Sequence, residues 1–151
     1  MQPVGGNLEL FANTNVVWKS AVLLAQYGNP AYRYPSHAII NGGFGSDRIS
    51  AGDGDDFIFH LSGEGRDIID GGAGTDTFIL TGDTSAETFR VYTRAAWLAV
   101  AGNTAAQLNA NTEIVITRNG TNNGSVIAEL DNIEEIKINT LLTTVNNGNG
   151  V

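Results

Sequence analysis

The sequence contains no cysteine, which removes disulfides, thiolate nucleophiles and cysteine-based zinc sites together. Proline is scarce, with 3 residues, and Lys plus Arg number 8 against 16 Asp plus Glu. The resulting formal charge of −8 makes nucleic acid and anionic membrane poor partners, because both would be repelled. No apolar run is long enough to span a bilayer, so membrane insertion is not expected. A cleavable export signal is not expected from these residues either: Met1-Gln2-Pro3 has no basic start, and the apolar run at 16–25 contains Lys19. Histidine is limited to His37 and His60, a thin supply for zinc, which favours imidazole or thiolate.

What is present is unevenly placed. Of 19 glycines, 10 fall within residues 42–74, and 8 of the 16 acids lie within residues 47–76, offset there only by Arg48 and Arg66. At 151 residues the chain has the size of one compact body, so this is a specialised segment of it. Reading in nines gives Gly42-Gly43-Phe44-Gly45-Ser46-Asp47-Arg48-Ile49-Ser50 and then Ala51-Gly52-Asp53-Gly54-Asp55-Asp56-Phe57-Ile58-Phe59. After the insertion His60-Leu61 come Ser62-Gly63-Glu64-Gly65-Arg66-Asp67-Ile68-Ile69-Asp70 and Gly71-Gly72-Ala73-Gly74-Thr75-Asp76-Thr77-Phe78-Ile79. All four units have Gly at the second and fourth positions, Asp at the sixth and a large apolar residue at the eighth. A second insertion, Leu80-Thr81, leads to a degenerate fifth unit in which Glu87 and Phe89 hold the acid and apolar positions. That unit is expected to keep its strand and lose its turn.

Glycine at the second and fourth positions permits a tight turn with inward carbonyls. The last three residues form a short strand whose middle residue, Ile49, Ile58, Ile69 or Phe78, faces the interior. Repeat starts separated alternately by nine and eleven residues give a coil of twenty, with two strands per coil. Stacking coils at roughly 4.8 Å brings Asp47 near Asp67 and Asp56 near Asp76. Two bare carboxylates at that distance repel by about 3.5 kcal/mol at an effective dielectric of about 20, a large part of a small domain's stability. A divalent cation between the turns reverses the sign. Calcium fits best, because carboxylates and carbonyls form a flexible cage of hard oxygens, whereas magnesium demands a stricter octahedron.

These units resemble the hemolysin-type (RTX) calcium-binding nonapeptide repeat. The resemblance implies an all-β fold built on a short right-handed parallel β-roll, an RTX-type solenoid that folds on binding Ca2+. It further implies a piece of a large secreted or cell-surface bacterial protein exported in one step through a C-terminal signal, by type I secretion. Asp47, Asp56, Asp67 and Asp76 are expected to supply carboxylate ligands, with carbonyls from Gly43, Gly45, Gly52, Gly54, Gly63, Gly65, Gly72 and Gly74. Ala51 and Ser62 depart from the pattern by replacing the first glycine. Two complete sites are expected.

Around the repeats, residues 1–37 are expected to cap the roll at 38–90, a β-rich region should occupy 91–145, and 146–151 should form a flexible tail. Residues 7–27 carry both helical and alternating apolar spacing, so the period does not separate helix from strand. Ala38-Ile39-Ile40 reads as a strand. Further strands are expected at 88–93, 97–101, 113–118, 125–130 and 133–139, with Asn119-Gly120 and Asn123-Gly124 marking a hairpin. In the last strand Ile133, Ile136 and Ile138 should face inward. The second half resembles, more loosely, spacer units between the repeat blocks of large adhesins, through Asp131-Asn132-Ile133-Glu134.

Rival chemistries fare worse. An EF-hand started at Asp53 fails at Ile58, where glycine is required, and no glycine run leads into Gly-Lys-Ser/Thr as a phosphate loop would. His60 reads as a surface or strand-edge residue, and Glu134-Glu135 as a solvated face, not a hydrolytic pair. Trp18, Trp97, Tyr27, Tyr32, Tyr34 and Tyr92 suit core or cap packing better than a sugar-stacking platform. The chain is therefore expected to be no enzyme but an adhesin-like structural module whose partners are calcium ions and other domains of a parent protein. The alternative is an accessory module of a secreted hydrolase, lyase or toxin, with carbohydrate binding by the second half a third candidate.

Overall fold

The computed structural model describes residues 37–140. The cap expected over 1–37, apart from His37, and the tail expected over 146–151 lie outside the described residues, as do Trp18, Tyr27, Tyr32 and Tyr34.

The described chain is strand-rich and its short strands follow the repeat. β1 spans Ile39–Asn41, β2 Arg48–Asp53, β3 Phe57–Leu61, β4 Asp67–Ala73 and β5 Thr77–Thr81. Each takes β-branched or aromatic residues with a period of two, bounded by glycine turns, so one face is buried and the other wet. Odd-numbered strands stack on odd and even on even. β1, β3 and β5 pair in parallel with Ile40, Ile58 and Phe78 in one file. β2 and β4 pair in parallel with Ile49 opposite Ile69. The register offset is twenty residues in both the β2–β4 and β3–β5 pairs, since Ile49 faces Ile69 and Ile58 faces Phe78. All four middle residues are buried.

After β5 the chain makes an excursion. β6 (Phe89–Thr93) leads into a short helix, α1 (Arg94–Leu98), then β7 (Ile114–Arg118), which pairs antiparallel with β6. The turn containing Asn119, at φ 58°, returns the chain as β8 (Val126–Asp131), antiparallel to β7. β8 then lies parallel to β4, and β9 (Glu135–Asn139) parallel to β5. One sheet thus runs β1-β3-β5-β9, all parallel, and the other β2-β4-β8-β7-β6, parallel at one end and antiparallel at the other. Residues 126–139 add a third layer to the stack begun by the repeats: Leu130 follows Ile69, and Ile136 follows Phe78. The core between the sheets is the single cluster containing Ile40, Ile49, Ile58, Ile69, Phe78 and Leu130.

Three expectations differ in detail. The strand expected at 97–101 is instead helix α1 and its exit, because the Thr93 side chain accepts from the Ala96 N–H and starts a turn. Its Trp97 is fully buried against Val115 and Val126. The fifth unit keeps a strand, β6, but that strand joins the antiparallel edge and not the parallel stack. Ile136 and Ile138 remain half-buried and exposed, because β9 ends its sheet.

The excursion is clamped to a repeat turn. Arg66 donates from Nε (2.9 Å) and Nη2 (2.7 Å) to Glu129 on β8, and from Nη2 to the Gln107 carbonyl and Nη1 to Asn123 Oδ1. Glu129 is buried and also accepts from Thr112 Oγ1 and the Asn109 N–H.

Candidate metal centre

The winding sorts the turns onto two flanks. Turns 42–47 and 62–67 lie on one; turns 54–56, 74–76 and 132–134, which join β2 to β3, β4 to β5 and β8 to β9, lie on the other. Successive turns on a flank are in close contact. A side chain at Gly72 would meet the Gly52 carbonyl oxygen at 2.0 Å, and one at Gly74 would meet that of Gly54 at 2.0 Å, with φ of +100° and +147° at the two residues. Only glycine satisfies both conditions. Gly43, Gly45, Gly52, Gly54 and Gly63 also have positive φ, whereas Gly65 does not and is required by its approach to the Gly45 carbonyl. The carbonyls of Gly45, Gly52 and Gly54 therefore lie in the space between layered turns.

The four sixth-position aspartates are all buried. Three of them, Asp56, Asp67 and Asp76, link their layer to the one before. Asp67 Oδ1 accepts from the Asp47 N–H at 2.9 Å on the first flank. On the second, Asp56 Oδ1 accepts from Ala38 N–H at 2.7 Å and Asp76 Oδ1 from Asp56 N–H at 2.8 Å. These bonds use one oxygen of each of those three side chains and fix the separation of the layers. The remaining Asp76 oxygen, Oδ2, and both oxygens of Asp47 are buried with no hydrogen-bond partner among the described residues. They fold back over the first residue of their own repeats: an added side chain at Gly42 would lie 2.7 Å from Asp47 Oδ2, and one at Gly71 2.6 Å from Asp76 Oδ2.

Burial raises the Asp47 carboxyl to about 6, with the charges of Asp67 and Glu64 adding to the effect. The Asp76 carboxyl is also pushed up, first by burial and then by Asp56, Glu134 and Asp55, against the bond it accepts from the Asp56 N–H. Buried carboxylate oxygens facing like charge, beside carbonyls and without a protein donor, are costly unless a cation compensates them. The donors present are all hard oxygens, a set suited to Ca2+.

Two roles escaped the sequence reading. Glu134, read as part of a solvated face, continues the aspartate file: its Oε2 accepts from the Asp76 N–H at 2.7 Å. Its turn is shorter than the repeat turns, with three residues between Asp131 and Glu135 where six separate Asp70 and Thr77, and Asn132 at φ 51° takes the place of a glycine. The readable signal was an acid two residues before an apolar one, as in Asp76-Thr77-Phe78. His60, read as a surface or strand-edge residue, is instead fully buried. It points inward from β3 because it lies two residues after Ile58, and its Nδ1 is 2.9 Å from Asp67 Oδ2. Glu87, at the acid position of the degenerate fifth unit, pairs with Arg118 Nε at 2.5 Å and accepts from Ser62 Oγ at 2.7 Å. A guanidinium neutralises that turn.

Residues 38–64 and 61–84 match the family model of the RTX calcium-binding nonapeptide repeat, described as four copies. No curated protein and no solved structure matches the chain significantly.

Proposed function

From the match of residues 38–84 to the RTX calcium-binding nonapeptide repeat, a repeat that binds Ca2+, we propose that the protein is a calcium-dependent structural module of a secreted or cell-surface bacterial protein, adhesin-like in role. Asp47, Asp56, Asp67 and Asp76 supply carboxylates, and carbonyls of Gly43, Gly45, Gly52, Gly54, Gly63, Gly65, Gly72 and Gly74 supply neutral oxygens, between layers of a short right-handed parallel β-roll. The observation that carries this reading is the buried Asp47 carboxylate, which has no donor for either oxygen among the described residues.

Calcium at those positions would hold like charges together through shared ligands and exclude the chain conformations that separate them. Binding free energy then becomes folding free energy. Extracellular modules commonly bind calcium at roughly 10⁻⁴ to 10⁻³ M. The low calcium of a cytoplasm would leave the chain loose for export, and the higher level outside would order it. Circular dichroism tests this. Adding millimolar calcium to chelator-treated protein should increase the β signal, and full structure in chelator with no response to calcium would refute it.

A second reading makes the same module an accessory part of a secreted hydrolase, lyase or toxin. It is favoured by the repeat being a structural unit and not a catalytic one, which leaves any chemistry to a neighbouring domain. Sequencing the whole reading frame decides: flanking β-rich repeats support the adhesin, and a catalytic signature supports the exoenzyme.

A further inference from the structure

We propose that His60, Glu64 and Asp67 form a second kind of metal site, one selective for a first-row transition ion such as Zn2+, inside the flank where β3 passes into β4. This goes beyond the calcium reading, which concerns hard-oxygen sites between the glycine turns, and shares with it Asp67 as a ligand and Asp47 as a neighbouring charge.

The ligand atoms are already gathered. One atom each from His60, Glu64 and Asp67 lie within 4.8 Å of one another, and all three residues are buried. His60 Nδ1 is 2.9 Å from Asp67 Oδ2 and 3.9 Å from Glu64 Oε2. Donors held about 2.0–2.2 Å from a tetrahedral zinc are roughly 3.4 Å apart, so these separations bracket what one ion requires. The β3 pleat turns the imidazole inward, and the two-residue insertion His60-Leu61 gives the turn the length to bring Glu64 back beneath it. The Leu61 N–H, which donates to Glu64 Oε2 at 2.8 Å, holds that carboxylate in place.

The charge balance also calls for a cation. Glu64 and Asp67 form ion pairs with no Lys or Arg among the described residues, only with His60. Asp47, 2% exposed, is the neighbour of this group, its N–H donating to Asp67 Oδ1 at 2.9 Å. Arg66, one residue from Asp67, is turned away to Glu129. Two buried carboxylates thus share one imidazole, with a third, Asp47, beside them. Calcium takes oxygen ligands, while imidazole nitrogen selects for the transition series. Coordination takes the Nδ1 lone pair of a neutral ring, so the ring proton moves to Nε2 and the Nδ1 proton shared with Asp67 is replaced by the metal.

The test is titration of the full chain with Co2+ and Zn2+ in buffer containing saturating calcium. The expected result is one equivalent of Co2+ with visible ligand-field absorption, displaced by Zn2+, and a shifted imidazole resonance. His60→Leu and Glu64→Gln should each weaken Zn2+ binding at least tenfold. His37→Gln should not, because His37 is exposed and engaged with the Asp55 carbonyl at 2.9 Å. Glu64→Gln keeps an acceptor for the Leu61 N–H, so it serves should His60→Leu fail to fold. Absence of Co2+ binding, undiminished binding in Glu64→Gln, or loss of binding in His37→Gln would each overturn the proposal. Calcium-induced ellipticity is recorded on the same samples, so loss of the calcium response with the cobalt signal intact would refute the calcium reading while supporting this site.

Discussion

If Asp47 is a calcium ligand as proposed, its charge state sets the balance between the empty and the loaded turn. Its folded carboxyl is raised to about 6 from 3.8. A carboxyl with a raised folded value binds more protons folded than unfolded between those limits, so the metal-free fold loses stability as pH climbs from about 4 to about 6. Calcium requires the deprotonated form, so the loaded fold moves the opposite way and its affinity should fall about tenfold per unit below pH 6. Melting temperatures measured from pH 4 to 7 should therefore decrease in chelator and increase in calcium. Parallel curves in the two conditions would show that Asp47 is not at a cation site. Gly72 sets a second limit at this scale. Its φ of +100° and the 2.0 Å approach of the Gly52 carbonyl leave no room for a methyl group, so Gly72→Ala should destabilise the calcium-loaded chain by about 2 kcal/mol or more, read from the urea midpoint.

Strands and turns were legible where local period and tertiary role agree. Ile49, Ile58, Ile69 and Phe78 could be placed inside from the eighth-position rule, because a period of two within a three-residue strand admits one inward face. Glu134 is exposed, as its sequence context suggested, but its bond to the Asp76 N–H could not be read, since its turn has lost both glycines and three residues, and its place in the file depends on β8 returning to β4 across the whole excursion. His60 was misplaced for a related reason. An inserted residue looks like an edge when only the repeats are counted, yet the strand simply continues through it. The helix at 94–98 was hidden because alternation among small residues does not distinguish it from a strand. The Glu134 contact has its own test: Glu134→Ala leaves the Asp76 N–H without its acceptor and should cost about 1–3 kcal/mol. Hydrogen exchange should show the loss concentrated in β5 and β9, and a uniform change along the chain would mean that the contact does not join those layers.

At the scale of the molecule, the repeats do not close on themselves. β4 and β5 would present open parallel edges if the chain stopped at residue 90, and such edges pair with other chains unless covered. In the structure β8 and β9 cover both, the Arg66–Glu129 pair ties the excursion to the first flank, and Arg118 supplies the cation for Asp83 and Glu87. Stacked repeats gain stability from each neighbouring layer, and here the last layer is separated from the others by the full length of the excursion. Folding of the calcium turns and of the second half should therefore be one event. Arg66→Ala tests that coupling at a distance from the aspartates, because it leaves buried Glu129 with only the Thr112 and Asn109 donors. The expected loss is about 3 kcal/mol, with the calcium midpoint shifted upward although no proposed ligand is altered. The urea transition in calcium should be single and superimposable whether followed by Trp97 fluorescence in the excursion, read in a Trp18→Phe background, or by β ellipticity of the whole chain. Two separated transitions, with the calcium midpoint unchanged by Arg66→Ala, would instead describe a self-sufficient repeat segment beside an independent second half.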